Sequence, residues 1–180
     1  KMRKSFQGYP DKLMEAYDKE AEIVLHARGP LAAAEIVAQA TSMLQRRHAR
    51  RTDLIYSHIT KEARLLVRGH EIERADDLYR RAIREWGEDD VLFEQLSLAY
   101  FGFASMHDRK KAAADFIGDV FEDCYDKPEK GYYYMNHYAN MLELVRNLHH
   151  QAGNAEKFDE YQQVTKEANA AAEREYEARK

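Results

Sequence analysis

The chain has 180 residues, of which 44 % are hydrophobic and 33 % are charged, and its formal net charge at pH 7 is −4. This composition argues against a disordered chain, and the small net charge gives no general attraction to nucleic acid or to anionic membranes. No apolar run approaches the roughly 20 residues that a bilayer-spanning helix needs, so we expect no membrane partner. The single cysteine excludes an intrachain disulfide.

These properties are typical of a cytoplasmic protein, with the nucleus as the alternative compartment. The chain begins with Lys rather than Met, so we allow for a native start that is missing from it.

Proline, glycine and helix-capping residues divide the sequence into eight predicted helices. Pro10 and Pro30 each open a helix, because proline fits the first helical turn without losing a hydrogen bond. Gly69 and Gly87 each close one, and Pro128 separates the sixth from the seventh. The sustained alternation of apolar and polar residues that marks a strand is absent. The predicted helices cover residues 10–28, 30–50, 52–69, 71–86, 89–106, 108–126, 128–152 and 154–178.

The loops between these helices are very short, so neighbouring helices must run antiparallel. Small residues at Ala33, Ala75 and Ala112 recur about 40 residues apart, a spacing typical of stacked helical hairpins. One hairpin cannot bury its own apolar face, and stacking completes the core. The sequence therefore predicts an all-α, single helical-repeat domain over residues 10–180, after an N-terminal extension at 1–9. The predicted hairpins span about 10–50, 52–87, 89–126 and 128–178.

Two segments of the chain resemble tetratricopeptide repeats. The first covers residues 56–89, with Glu62 standing where an apolar residue is expected, and the second, at 90–127, is similar to a longer variant. The matching residues are Ala63, Leu66, Ala75, Tyr79 and Ala82 in the first segment, and Phe93, Leu96, Tyr100, Ala112 and Phe116 in the second. The resemblance implies a right-handed α-α superhelix of about four hairpins. It also implies a non-catalytic scaffold or adaptor that binds a peptide or protein segment in a concave groove.

The phrase that runs from Arg74-Ala75 to Tyr79-Arg80-Arg81-Ala82 is also similar to the half-tetratricopeptide repeats of RNA-processing proteins. A basic run near the end of the second predicted helix has side chains that could meet phosphates. Its arginines are Arg46, Arg47, Arg50 and Arg51. Cations are also ordinary at a helix C-terminus. An RNA-processing scaffold is therefore one alternative function, and a helical regulator that binds a small ligand or peptide signal is another.

Polar residues on the seventh predicted helix are candidates for binding a partner. Asn136, Asn140 and Asn147 lie on a different face from the apolar stripe, together with Tyr132. Asparagine is a poor helix former, and a carboxamide both donates and accepts, which suits the backbone of an extended peptide. An exposed polar face, or hydrogen bonds to a neighbouring helix, is the plain alternative.

Arg64 and Arg68 lie four residues apart on the third predicted helix, off its Ala63 and Leu66 face. The resemblance implies that such positions line a groove, where the planar guanidinium can hold a carboxylate through two parallel bonds. The alternative is a solvated helix end, where cations are favoured.

Motifs for catalysis are absent from the sequence. There is no phosphate-binding glycine loop, no His-Glu-x-x-His helix and no Gly-x-Ser-x-Gly elbow. Glu22 with His26, and His58 with Glu62, could each supply two metal ligands, but a third is missing in both cases. We therefore expect no enzyme activity, no cofactor and no metal. Cys124 follows apolar residues and is predicted to be buried and inert.

Overall fold

The computed structural model describes the backbone of residues 9–125 and 132–178, and the side chains of the same ranges except 132–137, 172, 175 and 178. The described residues form eight α-helices and no strand, which confirms the all-α prediction. The helices are α1 (Pro10–Arg28), α2 (Pro30–Arg47), α3 (Thr52–Arg68), α4 (Ile72–Glu85), α5 (Asp90–Ser105), α6 (Lys110–Cys124), α7 (Tyr132–Gln151) and α8 (Ala155–Ala178).

The chain divides into two compact units, Lys1–Ala82 (unit 1) and Ile83–Lys180 (unit 2), and the division falls within α4. Adjacent helices pack against each other inside each unit. In unit 1, α2 contacts both α1 and α3; in unit 2, α6 contacts α5 and α7, and α7 also contacts α5 and α8. The prediction of one continuous domain over residues 10–180 stays a prediction.

Unit 1 is built on small residues where its helices meet. Ala33 of α2 and Ala63 of α3 are buried, and the bulky Leu44 and Ile55 of the same two helices are completely enclosed. Alanine lets two helices approach closely, and larger side chains fill the remaining space to the density of a protein interior. Gly29 has a φ of 88°, a left-handed conformation that favours glycine, and this allows α2 to start directly after α1 ends.

Unit 2 has an aromatic core. Tyr100 of α5 and Phe116 of α6 meet edge to face with ring centroids 6.0 Å apart, and Phe121 of α6 lies 5.4 Å from the ring of Tyr138 on α7. The first turn of α5 is capped by a side chain: the Asp89 carboxylate accepts a hydrogen bond from the backbone N–H of Leu92 at 2.9 Å. These contacts place α5, α6 and α7 around one core.

One predicted packing position is wrong. Ala112 is exposed on α6, whereas the next two residues, Ala113 and Ala114, are buried. The sequence has three consecutive alanines, so it does not show which of them faces the core. In the structure Ala113 faces the core, because it forms a buried row at helical spacing with Phe116 and Val120.

Candidate functional site

The polar face predicted on the seventh helix is exposed where the structure describes it. Asn140 and Asn147 of α7 are exposed, whereas Tyr138, Met141 and Val145 are buried. The two asparagines are two helical turns apart and therefore share one face of the helix. The side chains of the other two predicted residues, Tyr132 and Asn136, lie outside the described residues.

The exposed carboxamides of Asn140 and Asn147 form no hydrogen bond with a described residue of a neighbouring helix. Arg146 Nη2 donates to Asn147 Oδ1 and to Glu143 Oε1, both at 3.2 Å and both within α7. Asn140 makes no side-chain hydrogen bond with any described residue. The donor and the acceptor of the Asn140 carboxamide are therefore open to solvent.

An exposed apolar row that the sequence did not predict runs along α5 and ends at Met106, the residue directly after the helix. Val91, Leu98 and Met106 are 58 %, 49 % and 75 % exposed. Gly102, in the same row, is exposed, and a Cβ added there would meet no heavy atom within 4 Å. We call these four residues the α5 row. A signal was present in the sequence, because α5 has only two charged residues, Asp90 and Glu94, and a helix so rich in apolar residues is normally covered over most of its surface.

The predicted arginines of the third helix are exposed. Arg64 and Arg68 lie on α3, and neither forms an ion pair with a described residue. They belong to unit 1, whereas the asparagines belong to unit 2. The predicted set of site residues is therefore not assembled within either unit.

The basic run that begins in the last turn of α2 is partly used for structure. Arg51 donates two hydrogen bonds to Asp11, at 2.8 and 2.7 Å, and two to Asp53, at 3.0 and 2.9 Å. Its hydrogen bonds lower the pKa of both carboxyl groups. Arg51 therefore joins the first turn of α1 to the first turn of α3, while Arg46, Arg47 and Arg50 are exposed.

A polar cluster in unit 1 also connects α1 to α3. Asp18 of α1 accepts a hydrogen bond from Lys61 Nζ at 2.7 Å and lies 3.5 Å from Nε2 of the buried His58. The Nδ1 of His58 donates to the carbonyl of Leu54 at 2.9 Å. The His58 and Lys61 contacts lower the pKa of Asp18.

Glu62 of α3 is the residue that breaks the expected apolar pattern, and it is half-buried. Burial raises the pKa of its carboxyl group to about 7, although the charges of Arg81 and Arg74 act in the opposite direction. Burial of a carboxylate without a close partner is unfavourable for folding.

A second polar cluster connects α6, α7 and α8 in unit 2. The buried His149 ring stacks on Tyr161 with centroids 5.2 Å apart, and the Tyr161 hydroxyl donates to Glu122 Oε1 at 2.6 Å. The amide of Asn154 donates to His149 Nδ1 at 3.3 Å and to Asp115 Oδ1 at 2.8 Å. Burial lowers the pKa of His149, against the opposing charge of Asp115. The cluster fixes the last hairpin on α6.

We expect unit 2 to lose stability as the pH falls from about 7 to about 5, with His149 contributing to the loss. The folded pKa of His149 lies below its ordinary value of 6.5. The unfolded chain therefore takes up a proton that the folded chain does not. This costs at most about 1.4 kcal/mol per pH unit. His149→Phe keeps an aromatic ring that cannot be protonated, so the stability of this variant should fall less steeply.

Denaturant unfolding at the two pH values measures this effect, followed by the fluorescence of Trp86, the only tryptophan, which lies in unit 2. His150→Phe, at the exposed neighbouring position, should keep the wild-type slope. Equal slopes for wild type and His149→Phe would contradict the prediction.

Cys124 is half-buried at the end of α6, not fully buried as predicted. Its Sγ lies against Gly87, where a Cβ would be only 2.5 Å from the sulfur. The last turn of α6 therefore approaches the turn after α4 within unit 2. Burial raises the pKa of the thiol, which lowers the thiolate fraction that reacts.

The described residues were searched for a metal site and for a membrane-spanning helix. No group of three His, Cys, Asp or Glu side chains among them is arranged to hold a metal ion. None of the described helices has the length and apolar character needed to cross a membrane.

The chain matches no protein-family model, no curated protein and no solved structure. A functional assignment therefore depends on the geometry of this chain alone.

Proposed function

We propose that the chain is a non-catalytic scaffold that binds a peptide or protein segment, and that α5 and α7 of unit 2 carry its binding face. The α5 row is the observation that carries this proposal. Water-exposed apolar side chains gain roughly 25 cal/mol for each Å² that a partner covers. Val91, Leu98 and Met106 are about half exposed or more. Gly102 leaves open space beside them for a partner's side chain.

Helix α7 supplies the polar part of the proposed face. It packs against α5 and exposes Asn140 and Asn147. A carboxamide can accept from a peptide N–H and donate to a peptide carbonyl at the same time, as backbone recognition requires. The favoured occupant is therefore an extended segment that presents apolar side chains to the α5 row and its backbone to α7.

Contacts between alternate helices support the superhelical part of the proposal. In unit 1, α1 reaches α3 through Asp18 and Lys61, and in unit 2, α5 packs against α7. Stacked hairpins bring the first helix of one pair against the first helix of the next. Both contacts are those expected of a tetratricopeptide-like, right-handed superhelix of about four hairpins. Arg64 and Arg68 would then form a second polar surface, suited to carboxylates.

Peptide binding is favoured over the RNA-processing alternative. One of the four arginines behind that alternative, Arg51, is held by Asp11 and Asp53. The small-ligand regulator stays a prediction.

The proposal is tested by selecting binders to the whole chain from a library of random dodecapeptides and measuring their affinities for variants. Leu98→Glu should weaken the selected peptides about tenfold, because it places a charge in the centre of the apolar row. Asn140→Ala combined with Asn147→Ala should cost about 1–2 kcal/mol of binding free energy.

Ile23→Glu is the matched control, since Ile23 is also an exposed apolar residue, 68 % exposed, and lies on α1 of unit 1. It should leave the affinities unchanged. If no peptide is selected, or if Leu98→Glu and Ile23→Glu behave alike, the proposal is wrong.

A further inference from the structure

An open groove lies between α1 and α2 in unit 1. Its volume is about 550 Å³, within the range of about 300–1,000 Å³ typical of ligand pockets. Leu13 and Tyr17 of α1 are buried and form its floor, and the half-buried Met43 of α2 lies beside them. Ala38, Gln39 and Ser42 complete the α2 side. The floor is therefore apolar but little of it is accessible, and Gln39 and Ser42 add polar surface on the α2 side.

One end of this groove is positively charged. Arg46 and Arg47, in the last turn of α2, both line it and are both exposed. Neither forms an ion pair with a described residue, and no carboxylate is among the described residues that line the groove. Arg51 of the same run is, by contrast, held by Asp11 and Asp53. The chain therefore neutralises one arginine of the run and leaves two facing the groove.

We propose that this groove binds an acidic amphipathic segment of a partner protein. The apolar side chains of the segment would lie mainly on the half-buried Met43 and Ala38, above the buried Leu13 and Tyr17. Its carboxylates would pair with Arg46 and Arg47, whose planar guanidinium groups bind carboxylates through two parallel hydrogen bonds.

Two other roles for the arginines explain fewer features of the groove: a purely structural role, and a role in binding nucleic acid. A favourable interaction with the C-terminus of α2 explains their position on the helix but not the apolar floor beside them. Single-stranded nucleic acid needs exposed aromatic faces on which its bases can stack, and Tyr17, the aromatic residue of the groove, is 9 % exposed. An acidic peptide satisfies both the apolar floor and the cationic end.

This groove goes beyond the proposed function. It lies in unit 1 and shares no residue with the α5 row or with the α7 asparagines. Either proposal can therefore be disproved by experiment while the other stands. The proposal also states the chemistry of the partner, which the α5 row does not.

The test is fluorescence anisotropy of the whole chain with three labelled probes. The first is a panel of amphipathic peptides with leucine or phenylalanine at helical spacing and glutamate between them. The second is the same panel with lysine in place of glutamate, and the third is a single-stranded RNA. We expect the acidic panel to bind at least about tenfold more tightly than the lysine panel, with an affinity that falls as salt is raised.

Variants then locate the site. Arg46→Glu combined with Arg47→Glu should weaken the acidic peptides about tenfold or more, and Met43→Ala should weaken them about threefold or more. Arg50→Glu is the matched control, because Arg50 belongs to the same basic run, is exposed and does not line the groove. It should change the affinity less than about twofold, and so should Leu98→Glu in unit 2.

Any of four outcomes would overturn the proposal. The acidic panel does not bind more tightly than the lysine panel; Arg50→Glu weakens binding as much as the change at Arg46 and Arg47; or the RNA binds through Arg46 and Arg47 while the acidic peptides do not. A loss of acidic-peptide binding in Leu98→Glu would place those peptides on the α5 row instead. A melting curve for each variant establishes that it is folded.

Discussion

Replacing Gly118 with alanine is expected to lower the free energy of unfolding of unit 2 by about 1–3 kcal/mol. Gly118 lies on the buried side of α6, and a Cβ there would be 2.9 Å from the Tyr161 hydroxyl oxygen and 3.1 Å from His149 Nε2. Neither atom can move away easily, because the hydroxyl is bound to Glu122 and the imidazole is enclosed beside the Tyr161 ring. The clash should outweigh the gain that alanine ordinarily brings to a helix.

Gly102→Ala is the matched control. Gly102 is also helical, but it is exposed on α5 and a Cβ there meets nothing within 4 Å. With no clash to offset it, the helix preference of alanine should stabilise unit 2 by about 0.5–1 kcal/mol. Urea unfolding followed by Trp86 fluorescence measures both variants. A shift of the two midpoints in the same direction would show that the contact at Gly118 is not tight.

Replacing Glu62 with glutamine is expected to stabilise unit 1 by about 2 kcal/mol above pH 7. Burial raises the pKa of this carboxyl group from 4.5 to about 7. Below pH 4.5 the folded and unfolded chains both carry the proton. Between pH 4.5 and 7 only the folded chain keeps it, so stability falls as the pH rises through that window and stays lowered above it. Glutamine has no charge to bury and removes this loss.

Thermal unfolding followed by circular dichroism, at about pH 5 and about pH 8, measures the effect of Glu62→Gln. The melting temperature of the variant should exceed that of the wild type at the higher pH, and the difference should shrink at the lower pH. Glu35→Gln, at an exposed position on α2, should change stability by less than about 0.5 kcal/mol at either pH. If the two variants cannot be distinguished at pH 8, Glu62 is not desolvated in the folded protein.

The helices could be predicted from the sequence because their ends depend on local chemistry. Pro10 and Pro30 stand at the first positions of α1 and α2, and the Asp89 carboxylate caps α5. Each of these signals acts within one helical turn. The inward face of a helix is harder to predict where its residues are alike, as the exposed Ala112 demonstrates.

The candidate sites could be predicted only in part, because they depend on residues far apart in the chain. From the sequence, Arg51 is predicted to be available to bind phosphate. In the structure it pairs with Asp11, which lies 40 residues earlier and could not be identified as its partner from local sequence. The groove beside Arg46 and Arg47 forms only when α1 and α2 pack together. The exposure of Asn140 and Asn147 follows from the periodicity of α7. Their role in binding stays a prediction.

The contact between Cys124 and Gly87 gives this protein a built-in probe. Cys124 is the only cysteine of the chain, so a thiol-specific reagent modifies one known place without any engineered residue. Its sulfur is held against the turn at Gly87, and burial keeps the thiol largely protonated near neutral pH. Because the thiol is only half-buried, the speed of alkylation reports how closely the end of α6 lies against that turn, and it rises when local opening exposes the sulfur further.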